Sequence, residues 1–383
     1  MSASQYAIAA GCVFDGESLR NNAAVIVEGG QVAAIVRRHE VPAAMPVREL
    51  PEHVWLTPGF IDIQVNGGGD VLFNDAPTAD TIRKMIVAHR RFGTTALLPT
   101  LISDTPEKMK SALAAVETLV GVEPAVLGIH LEGPFLSPEK AGVHAPQAIR
   151  GPTADDLAML TAKRHGVTLV TLAPECVPEG FIAELTAAGV RVALGHSMAT
   201  YAQTSAAMAE GLTGFTHLFN AMRPLDAREP GPIGAALDSR DAWYGLIVDG
   251  IHVAPAMLRL ALRGAGRAIL VTDAMPPVGG SHPSFDLYGE TISTSEGRCV
   301  RKDGTLAGAY LDMATAVRNC VRSLRVPLAD ALCFATAHPA QFIGLGDRLG
   351  RLAPGYRADM VELDASTVTV CRTWVAGEPC QGE

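Results

Sequence analysis

Glu132, His196, His217 and Asp273 each close an apolar run, in AVLGIHLEG, RVALGHS, GFTHLFN and AILVTDA. A carboxylate with two imidazoles suits a divalent metal of the zinc class and leaves a coordination position for water. A further carboxylate close by can take the proton from that water. Each residue alone has a plainer explanation. A histidine in an apolar strand is commonly a satisfied core residue, and an aspartate at a strand end commonly caps a helix or shapes a turn. Four such residues after four different runs outline a metal-dependent hydrolase instead.

Those side chains meet only if the runs that carry them lie side by side. Eight strand candidates can be counted: GFIDIQV, TTALLPT, AVLGIHLE, VTLVTLAP, RVALGHS, GFTHLFN, WYGLIVDG and AILVTDA. They alternate with helix candidates, the pattern of parallel βα units. TADTIRKMIVAHRRFG starts on Thr and stops on Gly, DTPEKMKSALAAVETLVG has Pro in its first turn, and TYAQTSAAMAEG follows in the same style. No glycine-rich dinucleotide loop follows the first strand, so a closed barrel is expected over an open doubly wound sheet. Barrels of this kind build their active sites at the carboxyl ends of the strands. That places Glu132 after strand three, His196 after five, His217 after six and Asp273 after eight. Both ends of the chain read differently, as short strands and turns, with Glu-Gly-Gly at 28–30 as a hairpin turn. The expected architecture is α/β: a (β/α)8 TIM-like barrel over 56–354, with a small β-sandwich domain formed by 1–55 and 355–383.

The chain's 383 residues hold a barrel of roughly 250 residues plus such an attachment. A composition of 48% hydrophobic and 19% charged residues suits a large buried core. Net charge is −9 and pI about 5.7, so the electrostatic footprint of a nucleic-acid binder is missing. A small phosphorylated ligand needs only a few local donors and stays compatible. The seven cysteines are scattered, odd in number and form no CxxC, and read as reduced thiols, most of them packing residues. MSASQYAIAAGCVFDGESL lacks a basic start and a long apolar stretch, so no signal peptide is expected. No run of about 18 apolar residues suggests a membrane span. The expected location is the cytoplasm.

Other histidines are less telling. His130 shares a strand face with Glu132, since side chains repeat every second residue; it is either a partner to the site or a packed barrel histidine. His89 sits in a helix candidate, and His39, His53 and His165 fall in surface-like segments, so none of these is given a role.

PGFIDIQVNG, GIHLEGPFLSPEKAGVHAP, LGHSMAT, FTHLFNAMRPLDAREPG, VDGIHVAP, LVTDAM, DGTLAGAYLDM and the closing GRLAPGYRADMV together resemble N-acetylglucosamine-6-phosphate deacetylases of the amidohydrolase superfamily. HLEGPF with a following GVH is specific to these deacetylases, whereas TPGFID alone marks only the superfamily. The resemblance implies a divalent metal held by Glu132, His196 and His217, zinc in the first instance with Fe, Co or Mn possible, and Asp273 as base and later acid. The superfamily's usual His-x-His on strand one is replaced here by Gln64 and Asn66. Amides bind such ions far more weakly than imidazole, so one metal per subunit is expected. His144 is implied as a donor to the acetyl carbonyl; read on its own, it would be loop surface. Val143, Asn220, Ala221, Arg228, Asp249, His252, Leu306, Ala307 and Gly308 are implied as contacts of the sugar and its phosphate. The arginine is implied to come from a neighbouring subunit, hence a homodimer or homotetramer.

The implied reaction is hydrolysis of N-acetyl-D-glucosamine 6-phosphate to glucosamine 6-phosphate and acetate. Its nearest rival is a sibling amidohydrolase acting on the galactosamine epimer or another N-acyl amino sugar. Hydrolases of cyclic amides are disfavoured, because they commonly carry the His-x-His pair and a metal-bridging lysine. A non-catalytic barrel kept as a scaffold is disfavoured too, since it would be expected to lose a ligand or Asp273.

Overall fold

The computed structural model describes residues 5–380. Eight parallel strands form one sheet: β1 Phe60–Val65, β2 Thr94–Ile102, β3 Gly128–Glu132, β4 Val167–Leu172, β5 Arg191–Leu194, β6 Gly214–Phe215, β7 Trp243–Leu246 and β8 Arg267–Leu270. Each pairs with its chain neighbour. The ring closes just beyond β8, where the Asp273 amide donates to the Gln64 carbonyl (3.0 Å) and the Asn66 amide donates to the Ala274 carbonyl (3.0 Å). The seam therefore runs through a residue expected to do chemistry.

Helices separate the strands, among them α1 Ala79–Arg90, α2 Pro106–Glu117 and, after β5, Tyr201–Ala209. Thr105 and Thr200 cap the last two by accepting from Lys108 N and Gln203 N, which satisfies amide groups that have no partner inside the helix.

Both termini contribute to a second eight-stranded sheet. Leu19–Glu28 and Gln31–Arg37 form a hairpin whose two loop residues, Gly29 and Gly30, sit at φ 57° and 79°. Two left-handed residues in a row give the turn whose twist matches the strands, and glycine adopts it without a Cβ penalty. Met360–Asp364 from the C-terminal end pairs antiparallel with Val54–Pro58, so both ends of the chain are tied into one ladder. Ile8, Val25, Leu56, Met360 and Trp374 form its apolar core.

The chain divides into two compact units. One comprises Met1–Asp62, Ile86–Ala96 and Asp312–Glu383; the other comprises Ile63–Met85 and Leu97–Leu311 and contains the site. Within the second unit, an element that sequence reasoning did not anticipate follows β8. It is a four-stranded antiparallel sheet, Ser284–Leu287, Glu290–Ser295, Arg298–Val300 and Leu306–Ala309. Its first two hairpins turn on Tyr288-Gly289 and Glu296-Gly297, all four residues with positive φ. Leu287, Ile292, Cys299 and Ala307 pack this sheet against Leu72, Ile102 and Met275 of the barrel rim.

Among the described residues, no helix is long and apolar enough to cross a membrane.

Candidate active site

Strands β5 and β6 stop before their site residues, and the chain then bends sharply. His196 (φ 48°), His217 (φ 32°) and Asp273 (φ 51°) are all left-handed, a conformation that costs a non-glycine residue about 1 kcal/mol or more. Surrounding hydrogen bonds hold each one. Ser137 N donates to the His196 carbonyl (2.9 Å), Leu218 N to the Gly245 carbonyl (2.8 Å), and Ala309 N to the Asp273 carbonyl (2.9 Å). The bends turn three side chains into one cavity of about 250 Å³ that also receives Glu132 from the end of β3.

Within it, Glu132 Oε1 lies 3.1 Å from His196 Nε2 and 2.9 Å from His217 Nε2, and the two ring nitrogens are 3.1 Å apart. Zinc-type bonds of about 2.0–2.1 Å in a tetrahedron put ligand atoms roughly 3.3 Å from one another. The protonation pattern makes the same point. His196 Nδ1 lies 2.7 Å from the Lys140 carbonyl oxygen. A carbonyl only accepts, so Nδ1 carries the hydrogen and Nε2 of the neutral ring presents a lone pair. That lone pair faces a carboxylate oxygen and a second imidazole, an arrangement that a cation at the centre resolves. Among the described residues this is the one cluster of three such side chains suited to a metal ion. Burial alone would raise the Glu132 pKa, but His196 and His217 beside it outweigh that and hold the carboxyl well below the usual range.

The strand-one amides serve the carboxylates. Gln64 Nε2 donates to Glu132 Oε2 (3.0 Å) and Asp273 Oδ1 (3.3 Å), and Asn66 Nδ2 donates to Asp273 Oδ1 (2.6 Å). An amide is a far weaker ligand for a zinc-type ion than the imidazole it replaces. Burial, then the charge of Glu132, raises the Asp273 pKa from 3.8 to about 6.

His144 is fully buried, not loop surface. Its Nδ1 accepts from the Ser103 amide (3.1 Å) and lies 2.8 Å from the Ser103 hydroxyl. An amide N–H is an obligate donor, so the neutral ring carries its hydrogen on Nε2, 3.9 Å from Glu132 Oε1. Burial, then the neighbouring His196, pushes the His144 pKa well down, leaving a neutral N–H donor beside the Glu132-His196-His217 cluster.

His252 also lines the cavity; its Nδ1 meets Asp249 Oδ2 at 2.5 Å, and Asp249 Oδ1 accepts from the amides of Ile251 and His252. The carboxylate thus fixes the ring that reaches the cavity. Asn220 and Ala221 line the same space, with Asn220 Nδ2 donating to the His217 carbonyl at 3.0 Å. Val143, Leu306 and Gly308 line it as well. Ala307 is buried in the rim cluster, Asp249 acts behind His252, and Arg228 is exposed in the loop after β6, outside the cavity of its own chain.

His130 resolves as a packed barrel residue. Its Nε2 lies 2.7 Å from the Thr171 hydroxyl, which in turn lies 2.6 Å from that of Thr216. Burial pushes its pKa down to about 4. Sequence reasoning passed over Ile102, Ser103, Ile247, Met275 and Thr305. All but Ser103 line the cavity, and Ser103 sets the His144 tautomer.

A parallel barrel with a Glu-His-His ligand set and a buried carboxylate at its C-terminal rim defines a metal-dependent hydrolase. More particularly, the chain belongs to the amidohydrolase family, whose model matches residues 55–380. It is 44% identical over 327 residues to an N-acetylgalactosamine-6-phosphate deacetylase of Shewanella sp. (strain ANA-3), covering 84% of this chain and 82% of that one. It is 37% identical over 342 residues to the N-acetylglucosamine-6-phosphate deacetylase of Haemophilus influenzae, covering 88% and 89%. The crystal structure of N-acetylglucosamine-6-phosphate deacetylase from Pasteurella multocida superposes with a TM-score of 0.95 at 34% identity, covering 99% of this chain and all of that one.

Proposed function

We propose that this protein hydrolyses the acetamide of N-acetyl-D-glucosamine 6-phosphate, releasing acetate and the free amino sugar phosphate. One cavity carries the reading: it gathers the Glu132-His196-His217 cluster, Asp273, the His144 donor, His252, Asn220 and Ala221. The names of the relatives support the same chemistry.

Glu132, His196 and His217 would hold one divalent metal, zinc in this reading. Such an ion polarises a carbonyl and lowers the pKa of water toward about 7. Asp273 accepts the proton of the attacking water, while Asn66 and Gln64 keep its Oδ1 in place. His144 Nε2–H donates to the acetyl oxygen as negative charge builds there. Asp273 then returns its proton to the nitrogen, the C–N bond breaks, and the amine leaves neutral.

Asp273 must be ionised to begin. A carboxyl raised to about 6 loses its charge as pH falls through that value, and a nearby cation draws the value downward. The acid limb of kcat/KM is therefore expected between pH of about 4 and about 6, and a pH–rate profile on metal-loaded enzyme measures it. A midpoint clearly above that window would assign the limb to another group.

His252 and the backbone around Ala221 would meet the phosphate, with Arg228 supplied by the other subunit of a dimer or larger homo-oligomer. A hydrogen bond to a charged group is worth about 1.5–3 kcal/mol. His252→Ala and Arg228→Ala are each expected to lower kcat/KM for the phosphorylated sugar by roughly 10- to 100-fold, with a smaller loss on the unphosphorylated one. Equal losses on both sugars would remove the phosphate role.

The 44% identity to an N-acetylgalactosamine-6-phosphate deacetylase favours a second reading, the 4-epimer as substrate. Acetate release from both epimers, with and without phosphate, tests the two together. Release from neither would sink both readings.

A further inference from the structure

The hydrolytic groups account for the polar walls of the cavity and leave an apolar one. Ile102 and Met275 line the cavity beside Glu132 and His144. Ile102 is the register partner of Glu132 across β2 and β3. The next residue, Ser103, donates to His144 Nδ1. Ile102 is therefore a neighbour of both the metal carboxylate and the carbonyl donor. Its backbone is clamped on both sides, with its amide donating to Asn74 Oδ1 (3.0 Å) and its carbonyl accepting from Asn74 Nδ2 (2.9 Å). Met275 lies two residues past Asp273 and is buried with Ile102 and Ala307 in one cluster, against which Val143 packs. Gly308 makes room for it: a Cβ there would come within 2.5 Å of Met275 Cγ.

We propose that Ile102 and Met275 form the wall that meets the acyl methyl group and limit the acyl chain to two carbons. This rests on the deacetylase reading. The carbonyl oxygen lies toward His144 Nε2 and the metal ligands, and the nitrogen must lie where Asp273 can protonate it. In that reading His252, Asn220 and Ala221 hold the sugar phosphate. The third substituent of the planar acyl carbon points away from the nitrogen, toward the remaining wall. A rigid, close-packed cluster does not swell to admit another carbon, and one methylene too many in such a pocket costs roughly 10- to 200-fold in kcat/KM.

The test uses the metal-loaded full chain with N-acetyl, N-propionyl and N-butyryl forms of the hexosamine 6-phosphate, scoring amine release. The wild type is expected to favour acetyl over propionyl at least about 10-fold. Ile102→Ala and Met275→Ala are expected to shrink that ratio by about 10-fold, with Ile102→Val and Met275→Leu intermediate. Ile247→Ala, on an apolar residue of the cavity near the end of β7, is expected to leave the ratio alone. The milder pair decides the matter if the alanine variants lose metal or melt early. An unchanged ratio in folded, metal-loaded variants, or an equal shift from Ile247→Ala, would overturn the assignment. So would a wild type that cleaves all three chains equally, with deacetylation itself intact. A wild type that releases no amine from any of them takes the deacetylase reading down first, and this inference with it.

Discussion

Asp273→Asn is expected to cut kcat by at least about 100-fold, and up to about 10,000-fold, while the metal stays bound. The substitution keeps the shape of the side chain and removes its basicity. Asn66 Nδ2 and Gln64 Nε2 aim donors at Oδ1 from 2.6 and 3.3 Å, so an asparagine can offer its carbonyl oxygen to the same two groups. Its NH2 then faces the cavity, where the wild type has an acceptor. Substrate affinity should survive, because the phosphate-side residues stand on other loops, and calorimetry would find binding with little turnover. The acid limb of the pH profile should disappear with the carboxylate. A variant that keeps its metal and more than a tenth of wild-type turnover would show that the proton goes elsewhere.

The barrel was legible because eight apolar runs alternate with capped helices, and all eight strands lie where those runs were counted. Their ends were less legible. RVALGHS and GFTHLFN read as strands through their histidines, yet the ladders end at Leu194 and Phe215. The site residues have left the sheet for left-handed bends, which no periodicity records. Glu132, His196, His217 and Asp273 were found from their types and their places after strands. Ser103 and Ile102 sit at an equivalent place, after TTALLPT, and were passed over because serine and isoleucine suggest no chemistry by themselves. Lys140 could not have been found at all, since it orients His196 through a backbone carbonyl that any residue would supply. The sheet over 284–309 hid because its strands are short and only partly buried, with Tyr288-Gly289, Glu296-Gly297 and Asp303-Gly304 as its turn signals. Arg228 shows a further limit. Its implied role needs a second chain, and within one chain it is a solvent-facing loop residue.

Stripping the metal with a chelator is expected to abolish turnover, and adding back zinc or another divalent ion to restore it. The physical reason is visible in the ligand cluster. Without a cation, the buried Glu132 carboxylate and two imidazole nitrogens crowd one another at 2.9–3.1 Å. A cluster without its cation offers nothing to polarise a carbonyl. Because the ion binds the folded chain and not the unfolded one, it also stabilises: at a concentration one hundred times Kd the gain is about 2.7 kcal/mol. Tm should therefore fall on chelation and climb with added metal. His217→Ala should weaken both responses, since it removes one of three ligands and opens a space where an imidazole was buried. Metal analysis should find one ion per chain at saturation, because Gln64 and Asn66 turn N–H groups toward the space a second would need. Full turnover in metal-free protein would refute the metal role, whereas two ions per chain would refute only the account of the strand-one amides.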